Sequence, residues 1–411
     1  MDERHYIVAG SLIDGSGGAA RRNVMLTVQN GIISGIAPAA TLPRAEKTAF
    51  VDLSHCVIVP ALVDCSITLT RSPSLHLADS ADMAIDPAQQ IAMLEHHVRY
   101  CHGHGVLGVA DSNDSTGLVA CWRRETGQKA LIEVRTGASP RSGDDEAPAA
   151  KRLDHDFLRI TYGGGIDDEQ APAAGLDHPE LCRLLRQRGG KKAVVMANGR
   201  QRVAEALAAG CDAIEQGYGM GEDNLRLMAE KNVLWIPSVV RAKNGLDGAA
   251  GGGAVCCRFS QRYVAPGKAA PGAEEFWKKT LAEQLALLCA ARKMGVPVAT
   301  GTGAGSAGIL HGEALVEEIK LFIRAGYKLE EAIRCASTNG AAFFGMEKAG
   351  LLAVGRRATF LVARGTVGQL PRKLAYLEGI FIDGVPSPAY HKHPLIMGRS
   401  GAHQQAPHTS P

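Results

Sequence analysis

The stretch Val57-Ile58-Val59-Pro60-Ala61-Leu62-Val63-Asp64-Cys65-Ser66-Ile67-Thr68-Leu69 decides the architecture of this chain. An apolar run ending in proline reads as a buried strand delivered to a tight bend. Beyond the bend Asp64, Ser66 and Thr68 fall on one face, because side chains of an extended chain repeat every second residue. Enzymes place reactive groups at such strand ends. The groups here are weak ones.

Outward from this stretch, strand-like and helix-like segments alternate, the mark of a βα architecture. The candidate strands are 57–68, 106–111, 130–136, 157–162, 193–198, 213–216, 233–239 and 296–302. Helical patterns occupy 87–104, 179–187, 200–209, 222–231, 274–294 and 312–325. Pro179 suits a first helical turn, and Gly210 and Gly295 suit helix C-terminal caps. Eight strands alternating with helices predict a (β/α)8 barrel over residues 57–349, with its chemistry at the C-terminal strand ends. Residues 1–56 alternate instead, with a hairpin signal at Asn30-Gly31, and residues 350–390 alternate in the same way around Asp383-Gly384. Residues 391–411 read as a loose tail. Residues 137–156 and 240–273 interrupt the pattern. The second, rich in glycine and carrying Cys256 and Cys257, follows the seventh strand and reads either as a mobile lid or as an insertion.

The totals narrow the class. The chain has 411 residues, 45% of them apolar and 21% charged, ordinary for a globular protein with room for two domains. With 45 basic against 42 acidic residues, nothing in the charge points to nucleic acid or an anionic membrane as partner. The first residues, Met1-Asp2-Glu3-Arg4, lack an apolar signal segment, and no apolar run is long enough to span a bilayer. Ten cysteines without a repeating spacing fit reduced thiols, hence an expected cytoplasmic location.

The pattern of Pro60, Leu62 and Asp64 after an apolar run resembles the opening strand of the metal-dependent amidohydrolase superfamily, in particular its imidazolonepropionase- and prolidase-like branch. In that family the run is followed by Asp and then His-x-His; here Ser66 and Thr68 stand at the two histidine positions. The resemblance covers roughly residues 5–390. It implies that the two chain ends combine into a β-sandwich beside the barrel. It also implies zinc or another divalent metal at the mouth, and hydrolysis of non-peptide C–N bonds in cyclic amide, imidazolone or dipeptide-like substrates. The family's metal ligands are histidines after strands one, five and six and a carbamylated lysine on strand four, with an aspartate after strand eight as proton shuttle. Such cations lower the pKa of bound water and polarise the carbonyl.

Each of these positions is recognisable by its frame. Strand four carries Arg159 where the lysine belongs, and a guanidinium stays protonated and cannot form a carbamate. Strand five has Met196 and Asn198, strand six Gln216, and strand eight Gly303 in place of the aspartate. This donor set predicts no metal, no retained cofactor and no confident catalytic residue. Arg159 would be the one strong cation among hydroxyls and amides. Asp64 or Asp111 is the expected internal partner; otherwise the mouth becomes an anion pocket lined by Arg159, Asn198, Gln216, Thr302 and His311.

Other clusters have plainer readings. His96, His97, Cys101, His102 and His104 crowd one helix end, where cationic histidine is favourable without any metal. Cys65 is expected to pack, and His311, in His311-Gly312-Glu313, to fix the loop after strand eight. Three functional readings follow: an amidohydrolase-like pseudoenzyme that binds a small, anionic molecule or a partner; a metal-independent hydrolase using Cys256, Cys257, Ser66 or Thr68 with Arg159; or a structural protein with a vestigial mouth. A homo-oligomer is the expected assembly.

Overall fold

Asn30 and Gly31 both take left-handed backbone angles (φ 52° and 77°), which gives the tight turn the sequence predicts between two strands. That hairpin joins β2 (Arg21–Gln29) to β3 (Ile32–Pro38), and both lie in one sheet with β1 (Arg4–Leu12) and β4 (Phe50–Pro60). The structure, a computed structural model, describes residues 4–43, 50–74, 86–138, 155–163, 176–249, 271–390 and 397–398.

The barrel strands follow in the chain as β5 (Leu62–Ile67), β6 (Val106–Asp111), β7 (Glu133–Ala138), β8 (Phe157–Thr161), β9 (Lys192–Ala197), β10 (Ala213–Gln216) and β11 (Leu234–Ile236). After them β12 (Phe360–Arg364), β13 (Gly379–Ile382), β14 (Val385–Pro386) and β15 (Met397–Gly398) rejoin the first sheet. Its order is β14-β13-β12-β4-β1-β2-β3, with β15 also paired to β4. Both chain ends therefore build one domain around a core that includes Ile7, Leu26, Leu53, Ile58 and Phe360, with Phe360 stacked on Phe381.

Three expectations need revision. Residues 57–68 are two strands, since Val57–Pro60 pair with β12 (Val59 opposite Leu361) and only β5 enters the barrel. Proline has no N–H to donate, so the ladder ends at Pro60. Residues 240–249 are helical, part of a helix Val239–Ala249, rather than the start of a loop. Within the expected tail, Met397 pairs with Val51. Cys256 and Cys257, with the remainder of the expected lid, lie outside the described residues.

In the barrel β5 to β11 run parallel and in sequence order. Residues 296–304 stand in the eighth place. On one side Trp235 N–H donates to Pro297 O and Ala299 N–H to Trp235 O; on the other Cys65 N–H donates to Thr300 O and Thr68 N–H to Ala304 O, each at 2.9 Å. The segment bridges both neighbours without a regular ladder, because Gly303 and Gly305 turn to φ 70° and 92°. The fold is the (β/α)8 barrel with an appended β domain that the sequence predicts. No helix of the described residues is long and apolar enough to cross a membrane.

Closure depends on contact at Gly301. A Cβ there would lie 2.4 Å from Ile236 Cγ2 and 3.0 Å from Ser66 Cβ. Gly301→Ala should therefore destabilise the barrel by roughly 1–3 kcal/mol through overpacking, read as a lower midpoint in urea denaturation.

Candidate functional site at the barrel mouth

A strand that alternates sides carries every second residue into the barrel. On β8 and β10 this rule delivers Arg159 and Glu215 to the interior, and they meet: Arg159 Nε donates to Glu215 Oε2 at 2.9 Å. The other carboxylate oxygen, Oε1, accepts from Ser66 Oγ at 2.6 Å. Glu215 thus ties together the strands that hold Ser66 and Arg159. Burial pushes its pKa up, but the charge of Arg159, the two bonds from Arg159 and Ser66, and the charge of Arg241 outweigh this and hold the carboxyl below its ordinary value. It is ionised. The expectation that Asp64 or Asp111 pairs Arg159 is corrected here.

Those two aspartates are engaged elsewhere. Asp64 accepts Thr302 N–H at 2.9 Å, Thr302 Oγ1–H at 2.6 Å and Ser66 N–H at 3.2 Å, which staples strand one to the eighth segment. Asp111 accepts the Leu69 and Asn113 amides at 2.7 and 3.0 Å. Burial raises each carboxyl to about 7 against the pull of these bonds.

The remaining predicted residues fall around this bridge. Thr302 is fully buried and its hydroxyl serves Asp64. Asn198 Nδ2 donates to Gln216 Oε1 at 2.7 Å, and Asn198 Oδ1 accepts Tyr218 N–H at 3.0 Å. Gln216 takes φ 69°, an uncommon angle for a side chain with a Cβ, at the end of β10. Its carbonyl is held by Trp235 Nε1 at 2.9 Å and Gln284 Nε2 at 2.8 Å. Met196 lies beside Asn198, and Thr68 leads out of β5 with its carbonyl accepting His311 Nε2–H at 2.9 Å. His311 is buried and stacks on His97 with ring centroids 3.8 Å apart. Burial and the neighbouring His97 lower its pKa to about 3, so the ring is neutral and fixes the loop. Cys65 is buried against Gly340, its thiol raised well above the usual range by desolvation.

Two residues of the site escape sequence reasoning. Glu215 sits one position before the frame residue Gln216, and only its inward direction shows its role. Arg241 lies in the first turn of the helix Val239–Ala249; its Nη1 donates to Ser306 Oγ at 3.2 Å. The same helix start is capped by Glu318, whose carboxylate accepts Val239 N–H at 2.9 Å and Val240 N–H at 2.6 Å.

Comparison with known proteins agrees with the fold. The chain belongs to the Amidohydrolase family, whose model matches residues 57–386. It superposes on a Xaa-Pro dipeptidase with bound methionine (TM-score 0.74, 21% identity, 94% of this chain and 100% of that one). It superposes as well on the ochratoxinase of A. niger (TM-score 0.73, 18% identity, 94% and 95%). Among curated sequences it is 32% identical over 132 residues to uncharacterized proteins of Mycobacterium tuberculosis and Mycobacterium bovis, a match spanning 30% of their length.

The donors present do not suit the family's divalent metal. Its frames hold hydroxyls, amides, a thioether and a guanidinium that is already paired with Glu215. Among the described residues no three His, Cys, Asp or Glu side chains group so as to hold a metal ion.

Two outcomes test the electrostatics. Removing one partner of a buried ion pair strands the other charge, at about 3–5 kcal/mol. Arg159→Met should cost that much in urea denaturation, and Glu215→Gln in the same background should restore most of it. Burial raises Glu318 from 4.5 to about 8, so its share of stability is complete below 4.5 and is lost as pH rises through 8. Between those values the slope of unfolding free energy against pH should be flatter in Glu318→Gln, by up to about 1.4 kcal/mol per pH unit.

Proposed function

We propose that this member of the Amidohydrolase family does not hydrolyse C–N bonds through a metal, and that its barrel mouth binds a small molecule. The observation that carries the reading is the bridge from Arg159 to Glu215 to Ser66. It fills with a closed ion pair the interior positions where the family's chemistry needs anionic and imidazole donors around an open coordination site. Gly303, with no side chain, leaves the strand-eight position without a proton shuttle. Fold kinship does not transfer activity when the reacting groups differ.

A second reading has one observation in its favour. Ser66 Oγ donates to a carboxylate at 2.6 Å, as a serine nucleophile beside a base would. Glu215 is a poor base, however, because Arg159 holds its pKa down, and Ser66 is only 2% exposed.

The test is elemental mass spectrometry of the tag-free protein together with assays on Xaa-Pro dipeptides and N-acyl amino acids, with and without added zinc. The expected result is far less than one metal per chain and no turnover in either condition. One zinc per chain with chelator-sensitive hydrolysis would overturn the proposal. Metal-independent turnover abolished in Ser66→Ala would favour the second reading.

A further inference from the structure

Eight of the ten cysteines fall among the described residues, and all eight are free thiols. Five are buried, and desolvation raises their thiols, that of Cys56 to about 11 and those of Cys211 and Cys335 to about 12. A thiol held protonated is a poor nucleophile. The other three are only half-buried, and their neighbours set them apart. Cys121 donates to the carboxylate of Glu125 at 3.5 Å, and an anion there opposes the thiolate. Cys289 is close enough to Arg292 for their charges to interact, but that guanidinium is taken by Glu331 through two bonds of 2.7 and 2.9 Å. Cys182 meets an imidazole instead. Its Sγ lies 3.6 Å from Nε2 of His178, one turn earlier on the helix His178–Arg186.

A second group of side chains stands beside this pair. Tyr162, the residue after β8, donates its hydroxyl to Glu205 Oε2, and Gln201 Nε2 donates to Glu205 Oε1 at 2.9 Å. Glu205 and Gln201 belong to the helix Arg200–Ala208. The bonds from Tyr162 and Gln201 hold the Glu205 carboxyl below its ordinary value against desolvation, and the charge of His178 adds to them. Cys182 in turn acts on the Tyr162 phenol. Thiol, imidazole, carboxylate and phenol are thus neighbours on the helices that follow strands four and five, away from the mouth.

We propose that Cys182 is a nucleophilic thiol oxidised by small, uncharged hydroperoxides, with His178 carrying the proton. The thiolate is the reacting form, and His178 Nε2 is placed to accept the thiol proton when Nδ1 carries the ring's own. The ionised Glu205 favours the imidazolium that results. The sulfur then attacks one peroxide oxygen, and the O–O bond breaks as the S–O bond forms. The departing hydroxide takes the proton from His178 and leaves as water. Sulfur gives up two electrons, the peroxide accepts them, and Cys182 becomes a sulfenic acid. Three features select the reagent: a half-buried sulfur admits a small molecule, the Glu205 charge disfavours an anion, and only a peroxide's leaving group needs the proton that His178 holds.

The experiment treats the full, reduced chain with hydrogen peroxide, traps sulfenic acid with dimedone and locates the adduct by peptide mass spectrometry. Cys121 and Cys289 serve as references within the same molecules. At neutral pH Cys182 should be trapped about tenfold or more faster than either. The advantage should narrow at alkaline pH, where ordinary thiols ionise unaided. His178→Gln, an exchange at an exposed helix start, should remove most of the advantage and its pH dependence while leaving the rate at Cys121 unchanged. Thermal unfolding reports that the variant is folded. Trapping at Cys182 no faster than at Cys121 and Cys289, or a rate and pH profile unaltered in folded His178→Gln, would overturn the assignment. Fast alkylation of Cys182 by iodoacetamide without any sulfenic acid would overturn the choice of hydroperoxide as its reagent.

Discussion

A guanidinium inside a barrel is tolerable only if an anion meets it there, and this mouth is arranged around that requirement. Glu215 supplies the charge and receives a second hydrogen bond from Ser66, so one carboxylate spans the barrel from β8 and β10 to β5. Desolvation penalises any ion pair of this kind, and good geometry is what offsets it. With Glu215 committed to Arg159, Asp64 is left to join strand one to the eighth segment through Thr302. Asp111 is left to hold the backbone that leaves strand one at Leu69. Each buried acid at the mouth thus has one structural duty, set by which partner it reaches.

Periodicity made the barrel legible, because strand and helix repeats differ and their alternation survives any change of active-site residue. The positions singled out on strands four, five, six and eight came by another route, from local motifs of the family that the chain resembles. The partner of Arg159 was not legible. Reading along the chain offers Asp64 or Asp111, yet contact across a barrel depends on strand tilt and stagger that no local pattern records. Glu215 is on the strand whose residue opposes both, and its neighbour Gln216 turns away at a positive φ. The break between Pro60 and Leu62 was hidden for a different reason. An apolar run reads alike whether it lies in one sheet or passes from one sheet to another, and only pairing with β12 tells them apart.

His311 and His97 illustrate how a residue type can mislead. Histidines near a mouth invite a chemical role, but these two stack on one another and donate to the carbonyls of Thr68 and Leu69. Their work is to brace the chain leaving strand one. Arg241 is the opposite case. It sits in the helix after strand seven with no motif around it, and its charge acts on Glu215 while its Nη1 donates to Ser306.

The joint between the two sheets has a consequence for how the chain reaches its native state. β4 runs directly into β5 with Ala61 between them, so the first barrel strand is anchored to a sheet that also needs β12 and β13. On a ribosome, Val59 emerges long before Leu361, its partner in that sheet. Such non-local pairing is slow, because loop closure costs entropy before the contact repays it. During synthesis the outer edge of β4 therefore waits with its hydrogen bonds unmade. Its apolar stretch from Cys56 to Val59 is the part of the nascent chain with most need of protection against pairing with a stranger.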